Sequence, residues 1–205
     1  MRYQELLEYN NRSIVVDKFI TTIKKNCSEI IDIYKETNKV LYRGSRKYPS
    51  DCFKGTIRQD RRPMSTYIDI QEMINEYLSK QGFSTNRSNC LFCSSTWSQA
   101  MIYGRVFIIF PKNGFHFLYS DKDDLFSGMC DYICSKLHMS ETYARAMKPD
   151  EYKQAAMEYI QQRKFSDIDL ATGIRSGDEI MISGTEYYAI AAPVMNVKEL
   201  FNALQ

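Results

Sequence analysis

No stretch of eighteen consecutive apolar residues occurs in this 205-residue chain, which leaves no segment long enough to span a bilayer as a helix. Nor does it open like a secretory precursor. Met1 to Asn11 is polar and carries both signs of charge, where a signal peptide runs from basic to apolar. The expectation is a cytoplasmic protein without membrane contact. Histidine is scarce, with only His116 and His138, and no G-x-S-x-G corner is present, so a serine hydrolase built on a nucleophile elbow is excluded. Internal repeats and low-complexity tracts are missing too, which excludes a solenoid. The six cysteines form no disulfide-like framework, as suits a reducing compartment. Cys90 with Cys93, and Cys130 with Cys134, have spacings that zinc sites use. Yet Leu91 and Phe92 make the first pair part of an apolar strand, and the second pair lies one turn apart on an apolar helix face. Both pairs read as core thiols, and no metal is expected.

What is present is an ordinary globular composition, 44% apolar and 25% charged, which argues against disorder. The length suits one compact domain with a helical extension. Residues 1–38 are expected to form that extension, packed on a core of residues 39–205. Net charge is only +2, but Arg43, Arg46, Lys47, Lys54, Arg58, Arg61 and Arg62 are answered within their interval by Asp51 and Asp60 alone. Such an interval suits an anionic ligand or partner, and equally a solvated basic loop.

Periodicity supplies the elements. Ser13 caps a long amphipathic helix in which Ile14, Val15, Phe19, Ile23, Ile30, Ile31 and Tyr34 recur at three- and four-residue spacing up to Glu36, with a break near Asn26. Val40 to Gly44 follows as a short strand. Ser45 to Thr66, rich in Lys, Arg, Pro and Ser, is expected to be a long irregular loop. Ile70, Met73, Ile74, Tyr77 and Leu78 mark a helix stopped by Gly82. Arg105 to Phe110 reads as a central strand, and Asn113-Gly114 as a hairpin turn pairing it with Phe115 to Tyr119. Asp121 to Asp124 caps a helix through Leu137, and Pro149 opens another over Asp150 to Arg163. Ile168 to Arg175 is expected to be loop. It leads into a strand from Asp178 to Ile182, a Ser183-Gly184 turn, a strand from Glu186 to Ile190, and a helix from Val197 to Leu204 capped by Asn196. Helices and strands mixed in this way predict the α+β class.

The chemistry-bearing stretch is Asn89 to Tyr103. A buried strand ends in Ser94, Ser95 and Thr96, three adjacent hydroxyls that a strand interior would not satisfy. Trp97, Ala100, Met101 and the Tyr103-Gly104 pair then suggest one or two helical turns closed by glycine. The hydroxyls sit at a strand-to-helix corner, where they serve as a helix cap or as ligand contacts. Arg43, at a strand end beside Gly44, lets a diphosphate or carboxylate approach both guanidinium and backbone. Glu179 is a carboxylate at a sheet end: if Ile180 and Ile182 face one side, Glu179 and Met181 face the other.

Taken in chain order, Tyr42-Arg43-Gly44, then Phe92-Cys93-Ser94-Ser95-Thr96, then Glu179-Ile180-Met181-Ile182 followed by a glycine and Tyr187-Tyr188-Ala189-Ile190, form a set. It resembles the toxin-like mono-ADP-ribosyltransferases of the arginine-serine-glutamate class, over about residues 40–191. The resemblance implies an α+β fold, a split β-sandwich of mostly antiparallel strands flanked by helices, and NAD as substrate. It implies that Arg43 contacts the NAD diphosphate, that Ser94 hydrogen-bonds and orients Glu179, and that Glu179 holds the 2′-hydroxyl of the nicotinamide ribose. Gly44, Ser95 and Thr96 complete the NAD-binding set, with Tyr103 as a clamp on nicotinamide and Arg105 as a second phosphate contact. The chain departs from the pattern twice. Its triplet is Ser-Ser-Thr instead of Ser-Thr-Ser, and Gly177 stands two residues before Glu179, where an acceptor-directing Glu or Gln is usual. The acceptor, a host protein or a nucleic acid, is therefore left open, with Asp167, Asp169 or Asp178 as substitutes for the missing side chain. NAD glycohydrolysis and a non-catalytic binding or virion protein of the same fold are the alternatives. The general character is similar to that of phage-encoded members.

Overall fold

The structure is a computed structural model describing residues 16–47, 50–62, 66–120, 125–177, 179–192 and 197–204. Ser13, Ile14, Val15, Asp121 to Asp124, Asp178 and Asn196 lie outside the described residues. The chain enters through α1, helical over residues 16–26, and α2 (Ser28–Thr37). Cys27 separates them with φ −133° and ψ 31°, next to the expected break. Val16, Ile20, Ile23, Ile30 and Tyr34 are buried in one core with the strands. Their three- and four-residue spacing puts them on a single helical stripe.

Eight strands follow: β1 (Tyr42–Ser45), β2 (Cys52–Thr56), β3 (Cys90–Ser94), β4 (Arg105–Pro111), β5 (His116–Ser120), β6 (Phe165–Ser166), β7 (Glu179–Ser183) and β8 (Glu186–Ala191). They form an antiparallel sheet in the order β2-β8-β4-β1-β3-β7-β5-β6. It is close to being two sheets. β1 pairs with β4 along all four of its residues, but with β3 only through Tyr42 opposite Ser94. Two four-stranded halves, β2-β8-β4-β1 and β3-β7-β5-β6, thus meet at a seam one residue pair deep.

The remaining helices cover the two faces. α3 (Ile68–Lys80), α5 (Leu125–Leu137), α6 (Glu141–Met147) and α7 (Pro149–Gln161) enclose a second core that includes Cys90, Leu118 and Met181. α8 (Leu170–Ser176) and α9 (Val197–Ala203) join the first core, and α4 (Trp97–Met101) lies between β3 and β4 in sequence. Ile180 and Ile182 belong to the first core and Met181 to the second, the alternation expected of a strand buried on both faces. No helix among the described residues is long and apolar enough to cross a membrane.

Three expectations are corrected. The Asn113-Gly114 turn does not make a hairpin, because β4 and β5 lie in different halves. The Asn113 amide donates to the Asn26 carbonyl at 2.8 Å and its side chain donates to Ser28 Oγ at 2.9 Å, while Gly114 donates its amide to the Glu29 carboxylate. Those bonds tie the turn to the α1–α2 break and send β5 across the seam. The interval Ser45 to Thr66 is not all loop, since β2 forms the edge of the first half beside β8. Lys54 and Gly55 hide its alternation, and Gly55 is needed because a Cβ there would collide with the Tyr187 ring. Finally, Ile168 to Arg175 contains α8, capped by Asp169, whose side chain accepts from the Thr172 amide at 3.2 Å.

Candidate functional site

The seam brings Arg43 and Glu179 to a common neighbour. In register with Tyr42 and Ser94, Gly44 would stand opposite Phe92, but the β1–β3 ladder stops at its single pair. The Phe92 carbonyl accepts instead from Arg43 Nη1 at 2.9 Å. On the other side β3 pairs fully with β7, which sets Glu179 directly opposite Ser94. Glu179 Oε1 meets Arg87 Nη1 at 3.2 Å, with side chains only 14% and 9% exposed. The Arg87 guanidinium lies over the Phe92 ring, 4.7 Å from its centroid, and the Arg61 guanidinium lies over the same ring at 4.4 Å. Three guanidiniums and one carboxylate are thus gathered around one aromatic residue. Stacking fixes the planes of Arg61 and Arg87, so their N–H edges have defined directions.

Both stacked arginines are held from α3. The Arg61 carbonyl accepts from the Gln71 side chain at 2.9 Å, and the Arg61 amide donates to the Ser88 carbonyl at 2.8 Å. Gln71 and Asn75 both donate to Ser88 Oγ, at 3.0 and 2.7 Å, and Asn75 Oδ1 accepts from the Arg87 amide at 3.0 Å. Gln71 and Asn75 are four residues apart and so share one helix face. Asn86 Oδ1 accepts from the amides of Ser88 and Asn89, closing the loop that carries Arg87. Burial lowers the Arg61 pKa, and the nearby charges of Arg43 and Arg87 act in the same direction against the opposing influence of Glu179.

The hydroxyl corner is built differently from the expectation that Ser94 orients Glu179. Ser94 donates to Gln99 Oε1 at 2.5 Å, with the Gly177 carbonyl oxygen farther off at 3.4 Å, and accepts from the Thr96 amide at 3.0 Å. Arg87, not Ser94, is the side chain seen paired with Glu179. Thr96 is the residue before α4, and its hydroxyl donates to the Gly177 carbonyl at 3.4 Å without capping the helix. Ser95 Oγ is buried with no hydrogen-bond partner among the described residues. Gly177 itself has φ 87° and ends α8 in the left-handed conformation, which explains glycine at the position where an acceptor-directing side chain was looked for.

The outer members of the set are at the rim. Gly44 allows α4 to approach β1, since a Cβ there would collide with the Ala100 carbonyl oxygen. Tyr103 is 55% exposed on the turn after α4, beside the exposed Trp97, Met101 and Ile102. Arg105 is engaged by Asp51. Of the basic interval, Lys54 pairs with Glu186 at 2.5 Å and Arg58 with Asp60 at 3.2 Å, whereas Arg61 turns inward to Phe92. The thiols of Cys90 and Cys93 are buried on β3, and burial pushes both up to about 12.

Arg61 and Arg87 carry no role in the motif set read from the sequence. A signal for Arg87 was present in Asn86-Arg87-Ser88-Asn89, a run of turn-forming residues around one charge. For Arg61 there was only its place in the basic interval. No family model matches the chain, and no curated protein or solved structure does so either.

Proposed function

We propose that the chain is an NAD-dependent mono-ADP-ribosyltransferase, which cleaves the bond between nicotinamide and ribose and transfers ADP-ribose to a macromolecular acceptor. One observation carries the reading. Arg43 and Glu179 come from opposite halves of the sheet and converge on Phe92, one through its carbonyl and the other through the Arg87 stacked on its ring. Two halves joined by one residue pair also support the split-sandwich expectation.

In this reading the C1′–N bond breaks with its electron pair leaving on nicotinamide, and the ribose gains oxocarbenium character. A lone pair of the acceptor then adds to C1′ as the acceptor gives up a proton. Glu179 stabilises the developing positive charge through the 2′-hydroxyl, and Arg43 holds the diphosphate. Ser94 acts indirectly, fixing through Gln99 and Gly177 the corner that stands opposite Glu179. Tyr103 covers nicotinamide from the turn after α4. Gly177 favours a second reading, since it offers no side chain to engage an acceptor: water then takes that place, and the enzyme is an NAD glycohydrolase.

Labelled NAD incubated in lysate with wild type and Glu179→Ala separates the readings. Label on protein or nucleic acid that is lost in Glu179→Ala is the expected result. Free ADP-ribose alone selects glycohydrolysis, no cleavage selects a binding protein, and full activity in Glu179→Ala overturns the role given to the carboxylate.

A further inference from the structure

We infer that Arg61 and Arg87 form a two-arginine clip on the Phe92 ring that binds a doubly charged phosphoanhydride, with Arg43 as its third cation. The inference rests on the reading above for naming the ligand as the diphosphate of a dinucleotide. The anion site itself rests on charge and burial alone.

Four observations carry it. Arg61 has no carboxylate partner among the described residues and makes its side-chain contact with an aromatic face instead. Arg43 likewise donates to a neutral carbonyl, not to an acid. Arg87 is more than nine-tenths buried, and although Nη1 reaches Glu179, its Nε has no hydrogen-bond partner among the described residues. The three cations are close enough for Arg43 and Arg87 both to act on Arg61, and Glu179 is a carboxylate that opposes them there. Among the described residues, two positive charges are left unanswered in a partly desolvated place, where mutual repulsion is poorly screened. A ligand with two negative charges removes that repulsion, and an anhydride supplies oxygens to more than one guanidinium at once.

The hydrogen bonds from α3 fit a binding role. Gln71 and Asn75 fix the backbones of both arginine-bearing loops before any ligand arrives, so less ordering has to occur on binding. Arg105, the second phosphate contact implied by the family resemblance, is already paired with Asp51. Arg61 takes that role here, from a loop outside the motif set.

Calorimetric titration of the full chain with inorganic pyrophosphate, ADP-ribose and AMP tests the clip, using wild type, Arg61→Gln and Arg62→Gln. Arg62 is the control, an exposed neighbour with the same charge. Expected are binding of pyrophosphate and ADP-ribose, weaker binding of AMP, a loss of about tenfold or more in Arg61→Gln, and no change in Arg62→Gln. Equal losses in both variants would reduce the effect to general charge and overturn the clip. So would wild type that ignores pyrophosphate, or that prefers a single-stranded oligonucleotide which pyrophosphate does not displace. Arg87→Lys, which keeps the charge but loses the planar fork, should weaken pyrophosphate binding while retaining native circular dichroism; unchanged affinity there removes Arg87 from the site. The outcome separates from that of the transferase reading. Arg61-dependent pyrophosphate binding without NAD cleavage sinks the enzyme and keeps the clip, whereas NAD cleavage with an unchanged KM in Arg61→Gln does the reverse.

Discussion

The two ends of β7 differ in almost every physical respect. At Glu179 the strand meets three guanidiniums and a phenyl ring. At Ser183, roughly 13 Å away at about 3.3 Å of rise per residue, it opens on a cavity of about 460 Å³ lined by Thr56, Gln59, Ser84, Asn89 and His116 among others. The roomy end holds hydroxyls, amides and one imidazole, with no acidic, Lys or Arg side chain among the described residues of its lining. The Glu179 end holds the charge. An empty space attracts attention as a ligand site, but unanswered charge is what makes an anion bind strongly, and here the two are separated by one strand length. The same connections explain the geometry. β7 leaves the second half at Ser183 and crosses to β8 in the first, and Gly184 in that crossing lies against Phe115, which follows the other crossing from β4 to β5. The halves are laced together at the cavity end and joined by one residue pair at the arginine end.

The contrast breaks most sharply at the ion pair. Arg87→Met removes an ion-pair partner of Glu179, a carboxylate that is 14% exposed, and the expected cost is up to about 3–5 kcal/mol of unfolding free energy. The double substitution Arg87→Met with Glu179→Met removes both members of the pair, so neither is left behind without the other, and should recover most of the loss. Urea unfolding of the two variants measures both. If the single variant is as stable as wild type, the charged end is not organised around this pair.

At the neutral end the effect is smaller. Thr85 Oγ1 and Ser183 Oγ share a hydrogen bond of 2.6 Å, and Thr85 is 1% exposed. Ser183→Ala leaves the Thr85 hydroxyl buried without that partner, at an expected cost of about 1–3 kcal/mol. Adding Thr85→Val should then cost less than it does alone, because the orphaned group is gone. Additive losses in the urea transitions would mean that the two hydroxyls are independent.

How much of this was legible in the sequence depends on the range of the interactions. The strands β4, β7 and β8 were readable because burial on both faces writes short continuous runs of Ile, Phe, Met and Tyr, and the break before α2 was visible in its spacing. Which strand pairs with which was not. Asn113-Gly114 carries the local signature of a hairpin, and only bonds to Asn26, Ser28 and Glu29, more than eighty residues earlier, turn it into a crossing. The site divides in the same way. Arg43, Ser94 and Glu179 were picked out by motif order, but the hydroxyl of Ser94 goes to Gln99, five residues away, and Glu179 pairs with Arg87, from a loop with no motif. A shared aromatic ring leaves no periodic trace, so Arg61 and Arg87 became visible as a pair only once Phe92 was between the loops that carry them.

Gly177 joins the charged end to the corner, and the smallest effect is expected there. With φ 87° the position is strained for an L residue, and a Cβ would stand 3.2 Å from Thr96 Oγ1, a contact that a shift of the Thr96 side chain by a few tenths of an ångström relieves. Gly177→Ala should therefore cost about 1 kcal/mol, mainly from the backbone. Gly177→Asn should cost less, because asparagine enters the left-handed region more readily. For a chain of this length the difference corresponds to about 2–4 °C in Tm per kcal/mol, within reach of a thermal melt. The asparagine variant also sets an amide two residues before Glu179 without touching the arginine cluster. If glycine is there for the cap alone, the alanine variant melts lower than the asparagine one. If alanine is as stable as wild type, the left-handed turn is not the reason for glycine, and the absence of a side chain facing Thr96 becomes the feature to be explained.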